Sequence, residues 1–264
     1  MSRLIFRRSR AVVLSAFLAL LLAGCITTME SSKPKIDKQQ ALEANIKLGM
    51  TYLQQNKREG AVRSFTKALD LDSKSAEAHL GMALLHQLNG EIKESEVSFK
   101  RALSNRSRID FSRASIEFSY ARLLFEQERF NESMKLFQLS SSDYAYNGRP
   151  DALMNVGLCA LKLDDQVRAK AAFEHSLNLN PRIAQSNLEL ADMAFMERDY
   201  SNAKQYLDRF SSITRHVPRS LWLGIRIERI FGNKDKEASY ALALKNLYPY
   251  SKEFLDYKRF IETQ

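Results

Sequence analysis

A period of 34 residues runs through the sequence from residue 42 onward. Phe65 and Phe99 lie one period apart, and so do Ala68 and Ala102. A fixed period of this length is typical of proteins built from stacked copies of one small unit, in which each copy packs only against its neighbours. The repeat constrains the fold more than any other feature of the chain, and it predicts a solenoid.

The period divides most of the chain into six frames, the last of them degenerate. The frames cover residues 42–75, 76–109, 114–147, 150–183, 184–217 and 218–251. Within the first five frames, three positions hold Gly, Ala or Ser, with the single exception of Phe210. A fourth position always holds a bulky residue, and its occupants are Phe65, Phe99, Phe137, Phe173 and Leu207.

This pattern resembles the tetratricopeptide repeat, and it has a physical reason. Two antiparallel helices approach closely only where small residues occupy the crossing points, and one bulky side chain then fills the space between units. The chain holds only nine Gly and five Pro, which favours helices over turn-rich strands. We therefore expect an all-α fold of about six helix-turn-helix units, arranged as a right-handed superhelix with a concave groove. Residues 252–264 are expected to form a C-terminal helical extension.

The first 25 residues predict a lipoprotein. A basic stretch precedes the apolar run "AVVLSAFLALLL", which is too short to span a membrane and typical of a signal-peptide core. The run leads into "LAGC", which resembles the bacterial lipobox. The resemblance implies a signal peptide at residues 1–24, cleavage before Cys25, and S-diacylglycerol and N-acyl chains on that cysteine. The alternative is an ordinary secretory signal that contains a cysteine.

The residues after the predicted cleavage site indicate where the mature protein works. Residues 26–40 are polar and aperiodic, so we expect residues 25–41 to be the lipidated end and a flexible tether. Ile26 replaces the aspartate that marks inner-membrane retention in enteric lipoproteins, which implies the periplasmic face of the outer membrane. Removing the signal peptide also removes four arginines and lowers the formal charge from +9 to +5, so we expect no nucleic-acid partner.

Catalytic and metal-binding motifs are absent from the sequence. His79 and His86 lie seven residues apart, but no Cys or carboxylate at ligand spacing accompanies them. Cys159 lies in the apolar stretch "VGLCALKL", where a thiol is usually a small buried side chain. With only two cysteines, no disulfide framework is available. We expect no enzyme activity, no metal site, no cofactor and no small-molecule substrate.

The first helix of each unit is expected to line the groove, chiefly through positions two, five, nine, twelve and thirteen of its frame. The groove is expected to be apolar through its first half, and the candidate partner-binding residues are Ile46, Met50, Leu53, Leu80, Leu84, Leu88 and Phe118. The alternative is that several of these side chains pack against the neighbouring repeat and are never exposed. Trp222 holds a groove position in the last frame, and it is either a partner anchor or packing at the end cap.

Nearly the whole mature sequence is similar to the type IV pilus biogenesis lipoproteins called PilF or PilW. The similarity rests on the lipobox, the short tether, repeats that begin "LGMTYLQQ", and the later stretches "LADMAFMERDYSNAKQYLDRF" and "SLWLGIRIERIFGNKDKEASYALALKNLYPYS". It implies a pilotin, which binds the pilus secretin subunit, promotes its outer-membrane localisation and multimerisation, and so supports pilus biogenesis and twitching motility. The alternative is an adaptor lipoprotein that recruits periplasmic proteases or cell-wall enzymes.

Overall fold

The computed structural model describes residues 37–105 and 113–263, and every regular element in these ranges is an α-helix. The predicted signal peptide, Cys25 and most of the predicted tether lie outside the described residues. The helices are α1 Lys38–Gln54, α2 Arg58–Leu71, α3 Ala76–Asn89, α4 Ile92–Ser104, α5 Arg113–Glu126, α6 Phe130–Ser142, α7 Arg149–Lys162, α8 Gln166–Leu179, α9 Ala184–Met196, α10 Tyr200–Ile213, α11 Pro218–Ile230, α12 Lys234–Leu247 and α13 Lys252–Glu262.

The helices pair into a solenoid of helical hairpins. Each of the six frames holds two helices, and α13 follows the last pair. Helix α1 begins at Lys38, four residues before the first frame and inside the segment predicted to be a tether. The extra turn has a local cause, because "KQQA" contains good helix formers and the Asp37 carboxylate accepts a 2.9 Å hydrogen bond from the Gln39 N–H. None of the described helices is both long and apolar enough to cross a membrane.

One turn position repeats its backbone conformation in all six units. The fifteenth residue of each frame has a positive φ, and the residues are Asn56 (54°), Gly90 (78°), Glu128 (57°), Asp164 (59°), Arg198 (63°) and Gly232 (69°). The left-handed conformation costs an L-residue roughly 1–2 kcal/mol and costs glycine little. The period is therefore visible in the backbone even where the residue at this position is not a glycine.

Replacing Arg198 with Gly is expected to stabilise the protein by up to about 1 kcal/mol, because this exposed residue is held at a positive φ of 63°. Urea unfolding followed by far-UV circular dichroism measures the change. The matched control is Arg198→Ala, which removes the same charged side chain but keeps the Cβ atom and should give no gain. An equal gain in both variants would assign the effect to the side chain and contradict the explanation from backbone strain.

The bulky residue of each frame lies in the core among the small ones. All four phenylalanines at this position are fully buried. A Cβ atom on Gly157 would lie 2.5 Å from a ring carbon of Phe173, and one on Gly49 would lie equally close to Phe65. A larger residue at either glycine would have to move the ring, so close helix contact explains why these two positions are glycine.

At two of the small positions a serine hydroxyl bonds the partner helix of its hairpin. Ser95 on α4 donates a 2.8 Å hydrogen bond to the Ala83 carbonyl of α3, and Ser133 on α6 donates one of the same length to the Ala121 carbonyl of α5. Both serines are fully buried, and the hydrogen bond removes the cost of burying a free hydroxyl. Phe210, the exception among the small positions, is also buried, at 4% exposure.

Candidate protein-binding groove

A cavity of about 440 Å³ opens between α3 and α5, the first helices of the second and third units. Its lining residues are Leu84, Gln87, Leu88, Ser119, Arg122 and Glu126. All of them except Ser119 hold positions nine, twelve or thirteen of their frames, where a groove was expected. The Gln87 side-chain amide donates a 2.8 Å hydrogen bond to the Glu126 carboxylate and so links the two units. The cavity is apolar along α3 and polar along α5.

The structure divides the candidate groove residues into buried and accessible ones. Ile46 and Leu80 are 8% and 3% exposed, and each belongs to a core cluster between neighbouring helices. Leu88 is 44% exposed, and the remaining candidates are half-buried, namely Met50, Leu53, Leu84 and Phe118. The accessible apolar surface therefore centres on Leu84 and Leu88, whereas Ile46 and Leu80 mainly hold the units together.

All four half-buried candidates also contact core clusters, Leu84 the cluster around Phe99 and Leu53 the cluster around Phe65, and the other two are the most deeply involved. Met50 contacts the cluster around Phe65 and the cluster around Phe99, so it joins the first unit to the second. The Phe118 ring meets the Phe137 ring edge-on, with their centroids 5.3 Å apart. A substitution at either residue would disturb the fold as well as the surface, so neither is suitable for testing the groove alone.

A second cavity, of about 490 Å³, lies between α7, α9 and α11. It is lined by Leu161, Gln166, Glu189, Asp192, Met193, Met196, Glu197 and Arg219. The Arg219 guanidinium donates two hydrogen bonds to the Glu189 carboxylate, at 2.8 and 2.7 Å, and its Nε donates a third to Asp192 at 2.5 Å. The sequence places Asp192 and Arg219 at groove positions of consecutive frames, but their pairing becomes visible only when α9 and α11 lie side by side.

Partial burial shapes the charges of this second cavity. Burial raises the pKa of Asp192, against the opposing effect of the Arg219 charge. Hydrogen bonds to Glu189 raise the pKa of Arg219, and the Asp192 charge acts in the same direction. Burial also lowers the pKa of Arg226, whose guanidinium carbon lies 4.5 Å from the Phe195 ring centre. These charges largely neutralise one another. The second cavity is therefore lined by paired charges, whereas the cavity beside Leu84 has one apolar wall.

Trp222 lies on α11 at the end of the groove, where it is half-buried. Its ring meets the rings of Tyr257 and Phe260 on α13 edge-on, with centroid distances of 6.2 and 5.6 Å. Of the two interpretations of this tryptophan, the structure shows the second, since its ring packs against the C-terminal helix.

The residues considered for catalysis or metal binding are engaged in separate local contacts. His79 bonds the Ser73 carbonyl through Nε2 at 3.0 Å, and burial lowers its pKa. His86 bonds the Glu91 carboxylate through Nδ1 at 2.5 Å. Burial raises the pKa of Cys159, which favours the unreactive thiol. In residues 37–105 and 113–263, no three His, Cys, Asp or Glu side chains are grouped so that they could hold a metal ion.

Two regions of the chain match family models of the expected repeat. The model described as "TPR repeat" matches residues 49–90, and the model described as "Tetratricopeptide repeat" matches residues 150–183. The second range has the same limits as the fourth frame found in the sequence. Together with the helical hairpins, these matches confirm the tetratricopeptide solenoid.

Proteins similar to this chain over most of its length are known. The chain is 37% identical over 243 residues to the type IV pilus assembly protein PilF of Pseudomonas aeruginosa, which covers 91% of this chain and 95% of that protein. A solved structure of Pseudomonas aeruginosa PilF has a TM-score of 0.79 at 36% identity and covers 84% of this chain and 98% of that chain. The crystal structure of PilW, a widely conserved type IV pilus biogenesis factor, has a TM-score of 0.66 at 27% identity. It covers 82% of this chain and 98% of that chain.

Proposed function

Because the chain belongs to the PilF and PilW family of type IV pilus biogenesis proteins, we propose that it is a pilotin. In this role it is an outer-membrane lipoprotein that binds the pilus secretin subunit and promotes assembly of the secretin ring. It acts as a binding scaffold and catalyses no reaction. The observation that carries the proposal is the cavity between α3 and α5, where an accessible apolar wall lies at the groove positions of two consecutive units.

The shape and chemistry of this cavity suit an amphipathic segment of a protein partner. Leu84 and Leu88 lie one helical turn apart on α3 and offer an apolar surface to bulky side chains. Arg122 and Glu126 lie one turn apart on α5 and offer charges of both signs to the edge of the same segment. Helix-in-groove recognition uses this combination, since burial of apolar side chains gives affinity and polar contacts fix the register.

The lipid anchor would bring the groove to the site of secretin assembly. Three acyl chains on Cys25 would hold the protein at the membrane far more firmly than the marginal binding of a single chain. A flexible chain of the length predicted between Cys25 and the start of α1 would have a typical end-to-end distance of about 20 Å and would reach roughly 40 Å when extended. The groove would thus stay near the bilayer and raise the effective concentration of bound secretin there.

Replacing both Leu84 and Leu88 with Glu is expected to weaken binding of the secretin subunit at least about tenfold, or 1.4 kcal/mol. The change places two carboxylates on the apolar wall opposite Glu126. Affinity is measured by titrating the purified secretin subunit into the lipoprotein in detergent, and circular dichroism checks that the helices remain folded.

The matched control is Val97→Glu on α4, because Val97 is 49% exposed and lies outside this cavity. This variant should bind the secretin with wild-type affinity. Unchanged affinity in the double variant would move the binding site elsewhere. Co-purification of proteases or cell-wall enzymes in place of the secretin would overturn the proposal in favour of an adaptor.

A further inference from the structure

Helix α13 lies against the groove face of the sixth unit. Phe260 contacts two residues of α11, since its ring centre is 5.6 Å from that of Trp222 and 4.4 Å from the Arg229 guanidinium carbon. Tyr257 meets Trp222 edge-on at 6.2 Å. Trp222 and Arg229 hold positions five and twelve of their frame, the same positions that line the groove in other tetratricopeptide units. Helix α13 therefore covers groove positions of α11, and through Phe254 and Tyr257 it also packs on the core cluster shared by α11 and α12.

The contacts that hold α13 are few for a helix of the fold. It has 11 residues, and none of them is buried. Its outer side carries Leu255, which is 46% exposed. Helices this short are marginal in water without tertiary contacts, and terminal elements open at lower free energy than the core. The turn at residues 248–251 is the only covalent connection between α13 and the other described helices, so undocking of α13 breaks only its own contacts with α11 and α12.

The surface beneath α13 has the features of a recognition site. Trp222 is the only tryptophan of the chain, and the Arg226 guanidinium carbon lies 5.2 Å from its ring centre. Within the part of the chain that the structure describes, Arg226 Nε is buried without a hydrogen-bond partner. Burial lowers the pKa of Arg226, and the charge of Asp192 on α9 opposes this more than the charge of Asp256 on α13. The Asp256 carboxylate itself accepts a 2.5 Å hydrogen bond from Arg259. Helix α13 thus presents aromatic rings to Trp222 and Arg229.

We propose that the groove face of α11 is a helix-binding site, which α13 fills within the chain and from which a partner helix can displace it. The partner is an amphipathic helix with aromatic residues at positions i, i+3 and i+6, as in Phe254, Tyr257 and Phe260. This site is separate from the cavity beside Leu84 and does not depend on the identity of the partner proposed for that cavity.

The competition between α13 and a partner follows from the short connection. A segment joined by a short linker has an effective concentration of about 1 mM at its site. If α13 is docked most of the time, the same sequence supplied as a free peptide must bind the vacant site with a dissociation constant of about 0.1 mM or less. The intact chain must bind this peptide more weakly, because docked α13 blocks the site for most of the time.

The test uses the full-length chain with Tyr257→Ser and Phe260→Ser, and a synthetic peptide of residues 251–264 as the probe. The two changes remove the rings that contact Trp222 and should speed amide hydrogen exchange in α13 at least tenfold. The peptide should then bind this variant with a dissociation constant of about 0.1 mM or less, reported by Trp222 fluorescence. It should bind the wild-type chain at least tenfold more weakly.

The control is Leu255→Ser, which changes the outer side of α13 and should leave exchange and peptide binding as in the wild type. Equal peptide affinity for the wild-type chain and the double variant would overturn the proposal, and so would no binding to the folded double variant at about 1 mM. A third contrary result needs no variant. If amides of α13 in the wild-type chain exchange as slowly as those of α11, the helix does not leave its site.

Discussion

Replacing Phe173 with Ala is expected to lower the free energy of unfolding by about 3–5 kcal/mol, as is typical when a large aromatic side chain is removed from a core. The ring is fully buried, and the cluster around it draws residues from the five helices α5 to α9. In a solenoid, stability is a sum of units and of the interfaces between neighbours. A cavity at Phe173 weakens the fourth unit and both of its interfaces, so we expect the urea midpoint to fall sharply.

Val167→Ala is the matched control, because Val167 lies on the same helix and is 83% exposed. It should change the free energy of unfolding by less than about 0.5 kcal/mol. Both variants are measured by urea unfolding with circular dichroism as the signal. A loss below about 1 kcal/mol in the Phe173 variant would mean that the units repack around the missing ring, and it would contradict the assignment of this position as the main spacer between units.

Replacing Cys25 with Ala is expected to remove the protein from the outer-membrane fraction and to reduce the yield of assembled secretin rings in parallel. The reason is that the cysteine sulfur and the new amino terminus would carry the acyl chains, and each buried methylene contributes about 0.8 kcal/mol of membrane binding. Membrane fractionation, immunoblotting for both proteins and mass spectrometry of the mature amino terminus measure the change.

The other cysteine of the chain, Cys159, provides the control for this experiment. Cys159 is fully buried within α7, so Cys159→Ala should leave the lipid, the localisation and the ring yield unchanged. An outer-membrane level of the Cys25 variant equal to that of the wild type would contradict lipidation at this residue. Correct loss of the anchor with a normal yield of rings at the outer membrane would instead contradict the pilotin role.

The fold could be predicted because its information is local and repeated. Each frame of 34 residues carries its own small and bulky positions, and these residues are enough to pack the two helices of a hairpin against each other. Phe65, Phe99, Phe137 and Phe173 were identified from spacing alone, and all are fully buried. The degenerate sixth frame still forms a hairpin, α11 and α12, because contacts from the fifth unit and from α13 compensate for its missing small residues.

The groove was predicted only in part, because a position in a frame does not determine exposure. Leu80 and Leu88 both hold groove positions, yet Leu80 is 3% exposed and Leu88 is 44% exposed. Both residues lie on α3, but Leu80 packs into a core cluster with side chains of α4 and α5, whereas Leu88 lies in the last turn of the helix and lines the cavity. That packing is set by side chains of two adjacent units together, so no single frame contains it.

The sequence by itself determined the repeat type, the number of hairpins and the residues between them, because solenoid units pack by nearest-neighbour rules that recur with the period. Only the tertiary structure decided which groove positions stay open, how Arg219 pairs with Glu189 across 30 residues, and that α13 covers Trp222. Those features arise from contacts between units and between elements distant in the chain, where the outcome depends on relative helix orientation rather than on residue spacing.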